Sequence, residues 1–72
     1  MYTVERVKMD MDVEYIPGCS KTEAIKIAKK YAVKYPKSQI FISFSRANDG
    51  QRGYLNQDGS HDITGAAWVG KE

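Results

Sequence analysis

The sequence predicts a small α+β domain, β-α-β-β-β, with one helix packed on an antiparallel or mixed sheet. Three observations carry this. Apolar residues alternate with charged ones from Val7 to Tyr15, a helical period of apolar residues runs from Ala24 to Tyr35, and the C-terminal third alternates again between glycine turns. Period two marks a strand and period 3.6 a helix. Strands unequally distributed about a single helix indicate an α+β architecture.

The first strand is read from Val7, Met9, Met11, Val13 and Tyr15 on one face, with Lys8, Asp10, Asp12 and Glu14 on the other. This is the pattern of a half-buried strand. Tyr2 and Val4 lie in the opposite phase, which a bulge near Glu5 and Arg6 or a frayed start explains. Pro17-Gly18 is the expected break. Ser20-Lys21-Thr22-Glu23 has capping-box spacing. Ala24, Ile27, Ala28, Tyr31, Ala32 and Tyr35 then follow at threes and fours. The helix is expected from about Ser20 to Tyr35, because Pro36 drives the residue before it out of the α region.

Ser38 to Arg46 alternates with Ile40, Ile42 and Phe44 on one face and Phe41, Ser43 and Ser45 on the other. Asp49-Gly50 and Asp58-Gly59 are hairpin signals, since both residues tolerate positive φ. Gln51 to Asn56 reads as the next strand, and a last one is expected between Ser60 and Val69, anchored by Trp68. Ile27, Ala28, Tyr31, Ile40, Ile42, Phe44 and Trp68 form the expected core.

Seventy-two residues make one domain, residues 1–72, and a chain this short buries only about 60% of the surface its unfolded form exposes. That leaves little apolar mass for a deep substrate pocket. Hydrophobic residues are 42% and charged residues 28%, the balance of an ordered domain. The single Cys19 forms no internal disulfide, and with one His it builds no zinc site. The N-terminal segment lacks the apolar core of a signal peptide, and no run approaches a membrane span of roughly 20 residues. These features lead us to expect a cytoplasmic protein with no membrane partner and no cofactor.

Charge is segregated. Residues 1–18 sum to −2, residues 19–46 to +6 and residues 47–72 to −2, giving the net +2. On the helix, Lys26, Lys30 and Lys34 form a row opposite the alanines, with Lys29 beside them and Lys37 just beyond the end; Glu23 is the one acid nearby. Such a row is either a solvated helix back or a basic ridge for phosphates or an acidic protein. The helix has no arginine for bidentate base contact. The second candidate surface is the sheet face turned away from the helix. There Phe41, with Arg46, Arg52 or Tyr54 beside it, could stack a base or anchor a partner. Alternatively, the N-terminal strand or a second subunit covers Phe41.

Other chemistry fits poorly. The glycines after Asp49 open a strand, not the helix N-terminus a phosphate loop requires. Asn56-Gln57-Asp58-Gly59 matches the middle of a calcium loop, but Tyr54 and Gly65 occupy the two end-ligand positions. Cys19 and His61 could pair as nucleophile and base, yet nothing in the sequence brings them together or supplies a third group. Asp10, Asp12 and Glu14 read as a solvated strand face.

"CSKTEAIKIAKK", a strand, a glycine turn, "GYLNQDG" and a late "AAWV" together resemble the layout of small phage-encoded anti-CRISPR proteins that inhibit the type I-F surveillance complex. The resemblance implies a non-enzymatic protein that binds the crRNA-bearing complex in the host cytoplasm and blocks DNA access. Lys26, Lys29 and Lys30 match its basic helix positions. The leading expectation is therefore an inhibitor or adaptor docking on a host protein or nucleoprotein complex, as monomer or homodimer. The alternative is a stand-alone DNA- or RNA-binding module, and an enzyme is the least favoured class.

Overall fold

The computed structural model describes residues 1–45 and 52–70. One helix packs on a five-stranded antiparallel sheet, which gives the α+β class the sequence predicts. The elements are β1 (Tyr2–Val7), β2 (Val13–Cys19), α1 (Lys21–Lys34), β3 (Gln39–Ser45), β4 (Arg52–Leu55) and β5 (His61–Asp62), and the sheet order is β2-β1-β3-β4-β5. β1 lies between β2 and β3, so β2-α1-β3 is a crossover split by the first strand.

The N-terminal segment differs from its reading. Val7 to Tyr15 is not one strand; it is the two arms of a hairpin, in which Val7 pairs with Val13 and Glu5 with Tyr15. The tip closes through Lys8 N–H to the Asp12 carbonyl (2.8 Å) and Met11 N–H to the Lys8 carbonyl (3.0 Å). No Gly, Pro or Asn marks this turn. Met11 takes the left-handed conformation instead (φ 70°), and the Asp10 carboxylate accepts from Asp12 N–H at 3.1 Å. Nor does Pro17-Gly18 end the strand. The β1–β2 register shifts between Tyr2 and Val4, and Gly18 (φ 76°) makes a bulge within β2. An edge strand tolerates proline because one row of its amides faces outward.

The helix begins and ends as its local signals require. Ser20 is the N-cap, with Glu23 N–H donating to Ser20 Oγ (3.2 Å) and Ser20 Oγ donating to Glu23 Oε1 (3.0 Å). Tyr35, before Pro36, leaves the helical region at φ −122°, ψ 71°. Ala24, Ala28 and Ala32 are buried; their small side chains let the helix lie close to the sheet.

Pairing places Val4 between Ile16 and Ile42, and Ile42 beside Leu55, all on the helix side. Val4, Ile40, Ile42, Leu55 and the three alanines form the core with Cys19 and Trp68. Of the expected core, Ile27, Tyr31 and Phe44 are only half-buried. Ile27 and Tyr31 pack against the core from outside it, and Phe44 lies against Tyr2 and His61, while Val4 and Leu55 are fully buried.

The expected last strand reduces to His61–Asp62, and Trp68 lies beyond it. Its backbone N–H donates to the Ile40 carbonyl (2.8 Å) and its indole Nε1–H to the Leu55 carbonyl (3.0 Å). Next to it, the Gln57 side-chain amide donates to the Val69 carbonyl (2.8 Å) and accepts from Val69 N–H (2.9 Å). One side chain thus stands in for a strand's peptide group. The Asp58-Gly59 turn is present: Gly59 N–H reaches the Asn56 carbonyl (3.0 Å) and Asn56 N–H the Ser60 carbonyl (2.8 Å). Hydrogen bonds from the Ser60 hydroxyl and amide hold the Asp58 carboxyl below its ordinary range. The Asp49-Gly50 turn lies outside the described residues.

Candidate functional site

Turned away from the sheet, the back of α1 carries Lys26, Lys29, Lys30 and Lys34, all exposed. The alanine stripe fixes this orientation, because burying positions 24, 28 and 32 leaves the opposite side to solvent. No ion pair among the described residues involves these lysines; the one formed is Arg6 Nη2 to Glu14 Oε2 at 3.1 Å. Glu23, the only acid on the helix, is bound to the Ser20 hydroxyl. Arg6 and Lys34 both stand over the Tyr35 ring, with Arg6 Cζ 3.9 Å and Lys34 Nζ 5.3 Å from its centroid. Lys34 thus brings positive charge to the C-terminal end of α1, while the charge of Arg6 is offset by Glu14. Lys37 is exposed beyond that end and lines a shallow groove of about 260 Å³ with Val7, Met9, Met11 and Gln39.

The second candidate surface is the other sheet face. Phe41, Ser43 and Ser45 do point away from the helix, as alternation in β3 requires, and Phe41 lies next to Tyr54 with ring centroids 6.0 Å apart at 62°. These two rings do not present an open stacking platform. Residue 65 lies against them so closely that a methyl group there would stand 2.8 Å from Tyr54 Cγ and 3.1 Å from Phe41 Cδ1. The chain's own segment after β5 lies over the pair. Arg52 is exposed at the start of β4, opposite Ser45. It lines an open groove of about 490 Å³ with Thr3, Glu5, Ser43 and Tyr54. Arg46 lies outside the described residues.

Because only glycine fits over these rings, Gly65→Ala should lift this segment at a cost of about 1–3 kcal/mol, the usual range for overpacking. Chemical denaturation will read the loss, and the Gly65 α-proton should lose its ring-current shift. An unchanged midpoint and an unshifted wild-type proton would show that the rings are uncovered.

Cys19 and His61 are engaged elsewhere. The buried thiol of Cys19 donates to the Ile16 carbonyl at 3.5 Å. His61 Nε2 lies 3.0 Å from the Tyr2 hydroxyl, and its ring meets Phe44 edge-on at 4.8 Å. Among the described residues, no three of His, Cys, Asp and Glu gather as a metal site would require. No helix there is long and apolar enough to cross a membrane.

Sequence reasoning found the lysine row from spacing alone. It did not name the segment at residue 65 that lies over Phe41, whose only signal is a glycine spaced three residues after Asp62 within a run of small residues. Comparison with family models, curated proteins and solved structures finds no match.

Proposed function

We propose that this chain is a non-enzymatic binding protein, of inhibitor or adaptor type, that docks the lysine back of α1 on the phosphates of a host nucleoprotein complex and blocks access to its nucleic acid. The observation that carries the reading is the exposure of Lys26, Lys29, Lys30 and Lys34 on one side of a helix whose other side is fixed in the core. Four ammonium groups held on a rigid element form a ridge that can displace counterions from a phosphate backbone. The absence of arginine from the helix favours charge contact over base reading. The resemblance to type I-F anti-CRISPR proteins supports a crRNA-bearing surveillance complex as the partner and a host cytoplasm as the compartment.

The test is a salt titration of binding, by fluorescence anisotropy, to the crRNA-loaded complex and to naked duplex and single-stranded nucleic acid. Four phosphate contacts should give a log–log slope of about −3 to −4. Binding to the complex well above binding to naked nucleic acid supports the proposal. Equal affinity for naked nucleic acid favours the stand-alone module. A slope near zero for every partner excludes the ridge.

A further inference from the structure

We propose that the tip of the N-terminal hairpin docks an acidic, apolar segment of a partner protein, with Met9 and Met11 as the apolar contacts and Lys8 and Lys37 as the charged rim. The first observation is in the backbone. Lys8 N–H bonds to the Asp12 carbonyl and Met11 N–H to the Lys8 carbonyl, so Met9-Asp10-Met11 is a three-residue hairpin connection. The third residue of such a loop is left-handed, a conformation that glycine or asparagine adopts at least cost. Here the position is held by methionine, at φ 70°.

Nothing within the monomer offsets that cost. Met11 is 79% exposed and Met9 76%, and neither belongs to the core or to the residues packed against it. A left-handed backbone that carries an exposed apolar side chain helps neither folding nor solubility. Backbone outliers of this kind cluster where a protein contacts a ligand or partner. Methionine suits such a contact, because its unbranched, polarisable side chain adapts to the shape of an apolar surface.

The surroundings define the partner. Met9 and Met11 line a groove of about 260 Å³ with Val7, Lys8, Lys37 and Gln39. That is below the ~300–1,000 Å³ of small-molecule sites and suits one large side chain. The lining holds two lysines and no acid. The two acids of the turn serve the backbone: the Asp10 carboxylate accepts from Asp12 N–H (3.1 Å) and that of Asp12 from Val13 N–H (3.2 Å). Among the described residues neither Lys8 nor Lys37 forms an ion pair. A Leu or Phe side chain flanked by Asp or Glu therefore meets methionines in the groove and ammonium groups at its rim. Burial of the apolar side chain supplies affinity, and the charges select the partner. A phosphate backbone has nothing to set against the methionines, so this surface differs in chemistry from the lysine back of α1 and does not rest on the phosphate reading.

The chain has three methionines, and Met1 lies away from this groove, so their side-chain methyl groups test the proposal directly. Protein carrying ¹³C-labelled methionine methyls is titrated with the blocked peptide Glu-Glu-Leu-Phe-Glu-Glu and followed by NMR. The Met9 and Met11 methyl signals should shift and saturate, and the Met1 signal should stay in place. Replacing Leu-Phe by Ala-Ala in the peptide should weaken binding by about tenfold or more. Lys8→Glu/Lys37→Glu should weaken it by about three- to tenfold, the loss of two exposed ion pairs. Lys26/Lys30/Lys34→Glu should leave the methyl shifts intact, which separates the groove from the ridge. Met11→Asn should keep or raise the thermal midpoint while weakening the peptide. Methyl signals that do not move at millimolar peptide would overturn the proposal, as would equal shifts with the Ala-Ala peptide. A lowered midpoint in Met11→Asn would do the same, since the side chain would then serve the monomer. If Lys8→Glu/Lys37→Glu does not fold, the two peptides decide.

Discussion

Trp68→Ala is expected to lower the free energy of unfolding by about 3–5 kcal/mol, the range for removing a large buried aromatic. The indole is 5% exposed, and the residue holds the C-terminal segment at two points, Ile40 and Leu55. Alanine keeps the backbone bond to Ile40 but removes the ring and leaves the Leu55 carbonyl without its indole donor. Chains of this size have a total stability of only ~4–10 kcal/mol, so the variant should be partly unfolded at ambient temperature. Trp68→Phe separates the two contributions: it restores most of the packing and removes only the indole hydrogen bond to Leu55, a loss of about 0.5–1.5 kcal/mol. Urea unfolding followed by circular dichroism measures both. A Trp68→Ala midpoint equal to that of the wild type would mean that the indole does not fill the seam between helix and sheet.

The second large effect is expected from Lys26→Glu/Lys30→Glu/Lys34→Glu. These positions are exposed and opposite the alanine stripe, so folding should survive and the thermal midpoint should move little. Binding should change greatly. Losing three phosphate contacts flattens the salt dependence by about 2–3 units of log–log slope, since each neutralised phosphate contributes about 0.7–0.9. If the ridge instead meets an acidic protein surface, the loss should appear mainly as slower association. A folded variant that binds the complex like the wild type would leave the ridge as a solvated helix back. The groove beside Arg52 would then become the surface to test.

Legibility in the sequence followed the range of the interactions. The helix was readable because its signals are local: Ser20 and Glu23 lie three residues apart, the alanines repeat every four, and Pro36 stands at the end. The lysine ridge was readable for the same reason, as it is the complement of the alanine stripe. The N-terminal hairpin was not, because the alternation of Val7, Met9, Met11, Val13 and Tyr15 continues unbroken across a turn. Paired strand residues share a face, so Val7, Val13 and Tyr15 keep the phase of one strand while the chain reverses. The turn itself is built by Met11 in a left-handed conformation and by the Asp10 side chain, not by a glycine. The Gln57–Val69 clasp and the covering of Phe41 by residue 65 join segments that only the finished sheet brings together.

The place of β1 between β2 and β3 has a kinetic consequence. Its bond to β2 closes a short local turn, but its bond to β3 joins residues 2–7 to residues 39–44. The N-terminal hairpin and α1 are both local and can form within microseconds. The centre of the sheet must wait for a loop of more than thirty residues to close, at an entropic cost that grows with the logarithm of its length. Val4, with neighbours on both sides, is where that closure is first rewarded. The slow step of folding is therefore expected to be the docking of the preformed hairpin onto β3. During synthesis β1 waits for its second partner, β3, which emerges only after the whole helix has been made.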